Sequence, residues 1–169
     1  MRGSDWQQVD TAVRLVTPTL LIVILVVVSH IPLQIPNAGP VFPDIVLIAI
    51  YYWAVYRPDL MPFWVVFLIG LLQDLLGGDA LGVSSMIFLA VFWTVAAQQR
   101  FFMSRSFGVV WAGFIVVGAG VVLLSWGLHA LILGRSVHIG PALFQYLTTI
   151  AAYPLLAWIF AQTQRLVLK

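Results

Sequence analysis

Nearly every part of this chain belongs to a long apolar run, and the runs are separated only by single charges and Pro/Gly clusters. A soluble domain carries roughly a quarter of its residues as Asp, Glu, Lys and Arg. Here the charged fraction is 8%, the hydrophobic fraction is 62%, and glutamate is absent. Six aspartates and eight basic residues cannot cover a water-facing surface for 169 residues. The solvent this chain expects is lipid. In lipid the backbone must satisfy its own hydrogen bonds, so helices are the available element for runs of this length and composition. The reading is an all-α, polytopic integral membrane protein, one transmembrane domain over residues 1–169.

A crossing helix needs about 20 apolar residues. The breaks divide the chain into six candidates at about residues 15–33, 43–56, 60–76, 81–97, 107–133 and 142–162. The second is short. "TPTLLIVILVVVSH" has the apolar core of a signal peptide but no small-x-small site after it, so it reads as the first anchor. Upstream, Trp6, Val9 and Val13 share a helical face, which suits a short interfacial helix, with a disordered tail as the alternative for so few residues. Counting basic residues alternately puts Arg2, Arg14, Arg57, Arg100, Arg105, Arg165 and Lys169 on one side and Arg135 alone on the other. That asymmetry makes both termini cytoplasmic. It also accounts for a pI near 9.3 without nucleic acid, for which no basic run exists. Tyr51, Tyr52, Trp53, Tyr56 and Trp64 gather at the inner ends of the second and third segments, where an aromatic belt is expected.

The aspartates carry most of the remaining information. Asp44, after Pro43, and Asp59 and Asp79 each precede an expected helix, where a carboxylate caps free N–H groups. Asp74 is different. In "GLLQDLLGGDALG" it falls near the C-terminal end of the third helix, where the helix dipole disfavours negative charge. It therefore needs water, a proton or a partner. Gly70 and Gly78 on its own face suggest a close neighbour, and Gln73 stands beside it. Arg135 is the basic residue on the same side, which makes an Asp74–Arg135 ion pair a hypothesis. In the fifth segment Gly113, Gly120, Gly127 and Gly134 recur every seven residues; the first three form a bare stripe, and Gly134 ends the helix.

No chemistry emerges from these residues. Cysteine is absent, and His30, His129 and His138 have no metal-ligand spacing. Ser125 and His129 lie four apart on one helix, but no third group or oxyanion donor accompanies them. Ser84 and Ser85 read as intrahelical or helix–helix hydrogen bonders. "GGDALG" follows no strand and is no phosphate loop. A coupled transporter would show a repeat and polar groups at mid-membrane, and neither is visible. The residues describe a small helical bundle, without cofactor or metal, whose work is holding other proteins.

The central stretch from Phe42 to Trp93 resembles the MreD family of rod shape-determining membrane proteins. The shared pattern is a proline opening the second segment, a tyrosine-containing second helix, then G-x-x-x-D, a glycine turn and Leu-Gly. Pro43, Asp44, Tyr51 or Tyr52, Gly70, Asp74, Gly77, Leu81 and Gly82 fit it. The resemblance implies a non-enzymatic part of the bacterial elongation machinery in the inner membrane. It would act with the bitopic MreC, the actin-like MreB and the RodA–PBP2 synthase pair to place peptidoglycan synthesis. No catalytic residues transfer. Pro43, Asp44, Gly70, Asp74, Gly77 and Gly82 become candidates for architecture or partner contact, with Gly113, Gly120 and Gly127 as a docking groove. A rival reading is the substrate-binding subunit of an energy-coupling-factor vitamin transporter, also a six-span protein of this size. The alanine-x-x-x-alanine docking face often found on the first helix of such subunits is replaced here by "LLIVILVVVS".

Overall fold

The computed structural model describes residues 19–29, 42–78, 80–133 and 139–167. These form seven α-helices and no strand: α1 (Thr19–Ser29), α2 (Ile45–Tyr56), α3 (Phe63–Gly77), α4 (Val83–Ala97), α5 (Gln99–Met103), α6 (Phe107–Leu133) and α7 (Ile139–Val167). A 3-10 turn, Pro58–Leu60, links α2 to α3. The expected segments and the helices agree to within a few residues. The proposed leader helix, the ends of the first segment and the loop after it, and Asp79, Gly134, Arg135 and His138 lie outside the described residues.

The centre of the bundle is α2. Residues 46–55 are all buried, and α2 packs against α4, α5 and α7. A helix apolar on every side has no solvent face to offer, so it goes inside. This corrects the expected belt. Tyr51, Tyr52 and Trp53 are core residues, not interfacial ones. The Tyr51 hydroxyl donates to Val110 O (2.9 Å) in α6, and Tyr52 donates to Gln164 Oε1 (2.9 Å) in α7. The Tyr51 ring lies edge-on to Phe102, Phe114 and Tyr153, which adds directional packing to the area buried. Trp64 does stay outside.

Two further differences have local causes. The connection between the fourth and fifth segments, "QQRFFMSRS", contains α5, which tucks Phe102 against α2 while Phe101 and Met103 stay exposed. Asp59 does not cap α3. The 3-10 turn carries it away to pair with Arg57 (3.2 Å), and Pro62 takes the cap position without a side-chain bond.

Among the described residues two helices are long and apolar enough to cross a membrane, over Phe107–His129 and Gly140–Gln164. The exteriors of these and of α4 carry large apolar side chains in the open, with Leu131 84%, Val116 72% and Trp93 69% exposed. Water does not tolerate so continuous an apolar surface on a monomer, whereas lipid does.

Pro154 lies inside α7 and leaves the Ile150 carbonyl without its helical donor. The indole of Trp111 on α6 supplies one, at 3.3 Å. Nearby, Tyr146 of α7 donates to Ile115 O (2.7 Å), with its ring against Gly118. A Cβ at Gly118 would come within 2.8 Å of that ring. The α6–α7 contact therefore uses a glycine outside the seven-residue stripe.

Candidate functional site

Asp74 finds its partner on the next helix. Its carboxylate Oδ2 accepts from the Gly82 amide at 2.7 Å and Oδ1 from the Ser84 amide at 3.1 Å. Gly82 is the N-cap of α4, at φ 96, and has no side chain to offer the helix. A helix start leaves several N–H groups without acceptors. Asp74 supplies the missing cap from eight residues upstream. The carboxylate that seemed misplaced at the C-terminal end of α3 lies at the positive end of α4, where the dipole favours it. It is 1% exposed.

The turn is built to bring this about. Gly78 ends α3 in the left-handed region at φ 72, and its amide donates to Asp74 O (3.0 Å), closing the helix with a local cap. One turn earlier Gly70 lets α4 come close. A Cβ there would fall 2.6 Å from Ser85 N and closer still to Ser85 Cα, and Ser85 Oγ donates to Phe67 O (3.0 Å). So Gly70, Asp74, Gly82 and Ser85 form one clasp that fixes the α3–α4 hairpin. Gly77 is the last helical residue of α3. The close neighbour expected from Gly70 and Gly78 is α4, met at Gly70, whereas a Cβ at Gly78 would meet nothing.

Asp44 caps α2 as expected: Oδ1 accepts from the Leu47 amide (2.9 Å), while its own amide donates to Thr149 Oγ1 (2.9 Å). Pro43 precedes it, outside the helix. The glycine stripe of α6 divides. Gly113 seats the Phe102 ring and the Tyr51 hydroxyl, whereas a Cβ at Gly120 or Gly127 would meet nothing.

A cavity of about 190 Å³ lies between the N-terminal ends of α2, α4 and α7 and the C-terminal ends of α3 and α6. Its α6 wall is one helical face: Phe114, Gly118, Val121, Ser125 and His129. Asp44, Gln73, Ser84, Gln145, Tyr146 and Thr149 add polar groups from the other helices. His129 Nδ1 lies 2.8 Å from Ser125 O and 3.5 Å from Ser125 Oγ. The ring is thus held by backbone, and no activated serine results. No group of three or more metal-ligating side chains occurs among the described residues. Sequence reasoning missed Gly118, Tyr146 and Thr149 here, because their roles depend on which helices become neighbours.

Compared with protein families, residues 9–166 match rod shape-determining protein MreD. The chain belongs to the MreD family. The match covers nearly the whole length, well beyond the fifty residues that carry the motif. Comparisons with curated proteins and with solved structures gave no match. Membership assigns the chain to rod shape determination among membrane-associated structural proteins, and it does not favour the vitamin-transporter subunit. Gly70 with Asp74 on α3 and the Gly82 turn before α4 are the two halves of the clasp.

Proposed function

We propose that this MreD chain is a non-catalytic scaffold of the rod complex. In this reading it forms a single transmembrane domain, crosses the inner membrane six times and keeps both termini in the cytoplasm. It links an MreC-like bitopic protein and MreB to the RodA–PBP2 synthase. The family match over residues 9–166 is the observation that carries this reading. Two structural features support it. The clasp makes α3 and α4 a rigid pair, as a platform for partners requires. The outer side of α6 is open at Gly120 and Gly127 and lined by exposed Val116, Leu123 and Leu131, a surface that suits a single apolar partner helix. At the other end, Arg57, Arg100 and Arg105 suit acidic lipid headgroups or a cytoplasmic filament. Arg135 belongs to the proposal as a further partner of Asp74, approaching a carboxylate whose two oxygens already hold amides.

Co-purification from membranes in mild detergent tests the scaffold directly. Wild type is expected to bring down an MreC-like bitopic protein in stoichiometric amount. Asp74→Asn, still folded, is expected to bring down less. Recovery of vitamin-transport ATPase subunits in its place would overturn the reading. For the ion pair, Asp74→Arg with Arg135→Asp should recover what Asp74→Arg loses; no recovery removes Arg135 from the site.

A further inference from the structure

The connection between α4 and α6 keeps most of its chemistry outside the bundle. α5 turns one side chain inward: Phe102 lies edge-on to Tyr51 and fills the space over Gly113. Its neighbours stay outside. Phe101, Met103 and, at the start of α6, Phe107 are exposed apolar groups, and Arg100 and Arg105 are exposed cations. The Arg105 guanidinium lies 5.0 Å from the centre of the Phe101 ring, close enough for a cation–π contact. At the neighbouring connection Arg57 is held by Asp59, whereas Arg100 and Arg105 have no carboxylate partner among the described residues. Exposed tryptophans mark the same end of the bundle. Trp64 stands in the first turn of α3, Trp93 just before the last turn of α4 and Trp111 in the second turn of α6. An indole joins an apolar body to one N–H donor, which suits the boundary between hydrocarbon and headgroups. α5 packs against α2 and α4 at that boundary.

We propose that α5 is a docking point for an anionic phospholipid. Arg100 and Arg105 take the headgroup phosphate, and Phe101, Met103 and Phe107 take the first acyl carbons. A guanidinium presents a planar fork of N–H donors that matches phosphate oxygens. Arginine alone suits any anion. The apolar side chains interleaved with it select a lipid over a filament in water, because one phospholipid offers phosphate and acyl carbon together. Charge selects the headgroup: two cations without a carboxylate favour a net anion, whereas a choline headgroup would bring its own cation beside them. Phe102 fixes the same short helix to Tyr51 and Gly113, so a bound lipid also holds α5 on α2 and α6. This inference rests on the membrane placement proposed above, and of the two partners offered there for these arginines it names the lipid.

The test uses the full chain in detergent micelles, titrated with phosphatidylglycerol, phosphatidylcholine or glycerol 3-phosphate while thermal unfolding is followed. A probe that binds the folded chain raises the unfolding temperature in proportion to its affinity and concentration. Phosphatidylglycerol is expected to raise it in wild type, and phosphatidylcholine to raise it less. Apparent affinity for phosphatidylglycerol should fall about fivefold in Arg100→Gln and in Arg105→Gln, the worth of one basic residue at an anionic surface. Arg105→Lys should recover only part of that loss, since it restores the charge without the fork. Both arginines are exposed, so these variants keep the fold. Arg165→Gln, which removes one charge near the C-terminal end of α7, should bind as wild type does. The proposal is overturned if phosphatidylglycerol acts no better than phosphatidylcholine, or if glycerol 3-phosphate acts as strongly. It is overturned equally if Arg165→Gln loses as much as the α5 variants, the mark of a general positive surface. No lipid preference, with loss of filament co-sedimentation in Arg100→Gln and Arg105→Gln, would give this face to the filament. No partner protein enters the lipid titration, so its failure leaves the scaffold reading standing, and the failure of co-purification leaves this one.

Discussion

At the scale of single residues, Asp74 and Gly70 perform different tasks within one clasp. Asp74 supplies both acceptors for the start of α4, and Asp74→Ala would leave two amides buried or half-buried without partners. The expected loss is about 2–3 kcal/mol, since these are bonds to a charged group. Hydrogen exchange at the Gly82 and Ser84 amides checks it: both should be protected in wild type and exchange faster in the variant. Gly70→Ala acts by sterics alone. Its Cβ would strike the Ser85 backbone, which cannot rotate away, and α3 must move off α4 at a cost of about 1–3 kcal/mol. Thermal unfolding in detergent should place Gly70→Ala well below Gly120→Ala, whose Cβ enters open space. The sequence marks Asp74 as needing water, a proton or a partner, and the amides of Gly82 and Ser84 are partners that it has. Arg135, which charge alone suggests, lies outside the described residues and stays part of the proposal. Backbone amides eight and ten residues onward become available only once the turn has folded.

At the scale of elements, α6 and α7 are joined through a defect. Pro154 frees the Ile150 carbonyl, and Trp111 takes it up. Trp111→Phe should therefore cost about 1 kcal/mol in wild type. In a Pro154→Ala background residue 154 regains its N–H, and the same change should cost little. A double-mutant cycle on unfolding stability measures the difference as a coupling energy. A cycle with no coupling would mean the indole bond contributes nothing. The stripe of α6 shows the limit of spacing arguments. Gly113, Gly120 and Gly127 share a face, yet only Gly113 is occupied, by Phe102 and Tyr51. Gly118, on the cavity face, accommodates Tyr146 instead. Gly118→Val should weaken the α6–α7 contact and lower the unfolding temperature. Gly127→Val should leave stability unchanged while weakening co-purification of a partner helix, if that face is the docking groove.

At the scale of the whole molecule, polar groups separate by end. Asp44, Gln73, Ser84, Ser125, His129 and Thr149 meet at one end, and Arg57, Arg100 and Arg105 belong to connections at the other. The proposed topology puts the first group toward the outer side and the arginines inside. A chain without cysteine allows a direct check. A cysteine at Ser104 should react with an impermeant thiol reagent only after the cells are opened, and one at Ala80 should react from outside. The opposite pattern would reverse the orientation.

Composition together with the length of the apolar runs determined that this chain is helical and suited to lipid, because a backbone away from water must satisfy its own hydrogen bonds and continuous apolar runs this long do so as helices. Local spacing placed apolar segments where α2, α3, α4 and α6 lie, within a few residues, and it found the cap of α2 at Asp44, though not that Asp59 pairs with Arg57 instead of capping α3. The tertiary structure decided which helix is central, what Asp74 binds and where the cavity lies. Those outcomes depend on which faces meet. A lipid-facing helix and a buried one are both apolar all round, so hydropathy cannot tell α2 from its neighbours. Only packing separates them, placing Tyr51 and Tyr52 of α2 inside and leaving Leu123, Leu124 and Leu131 of α6 exposed.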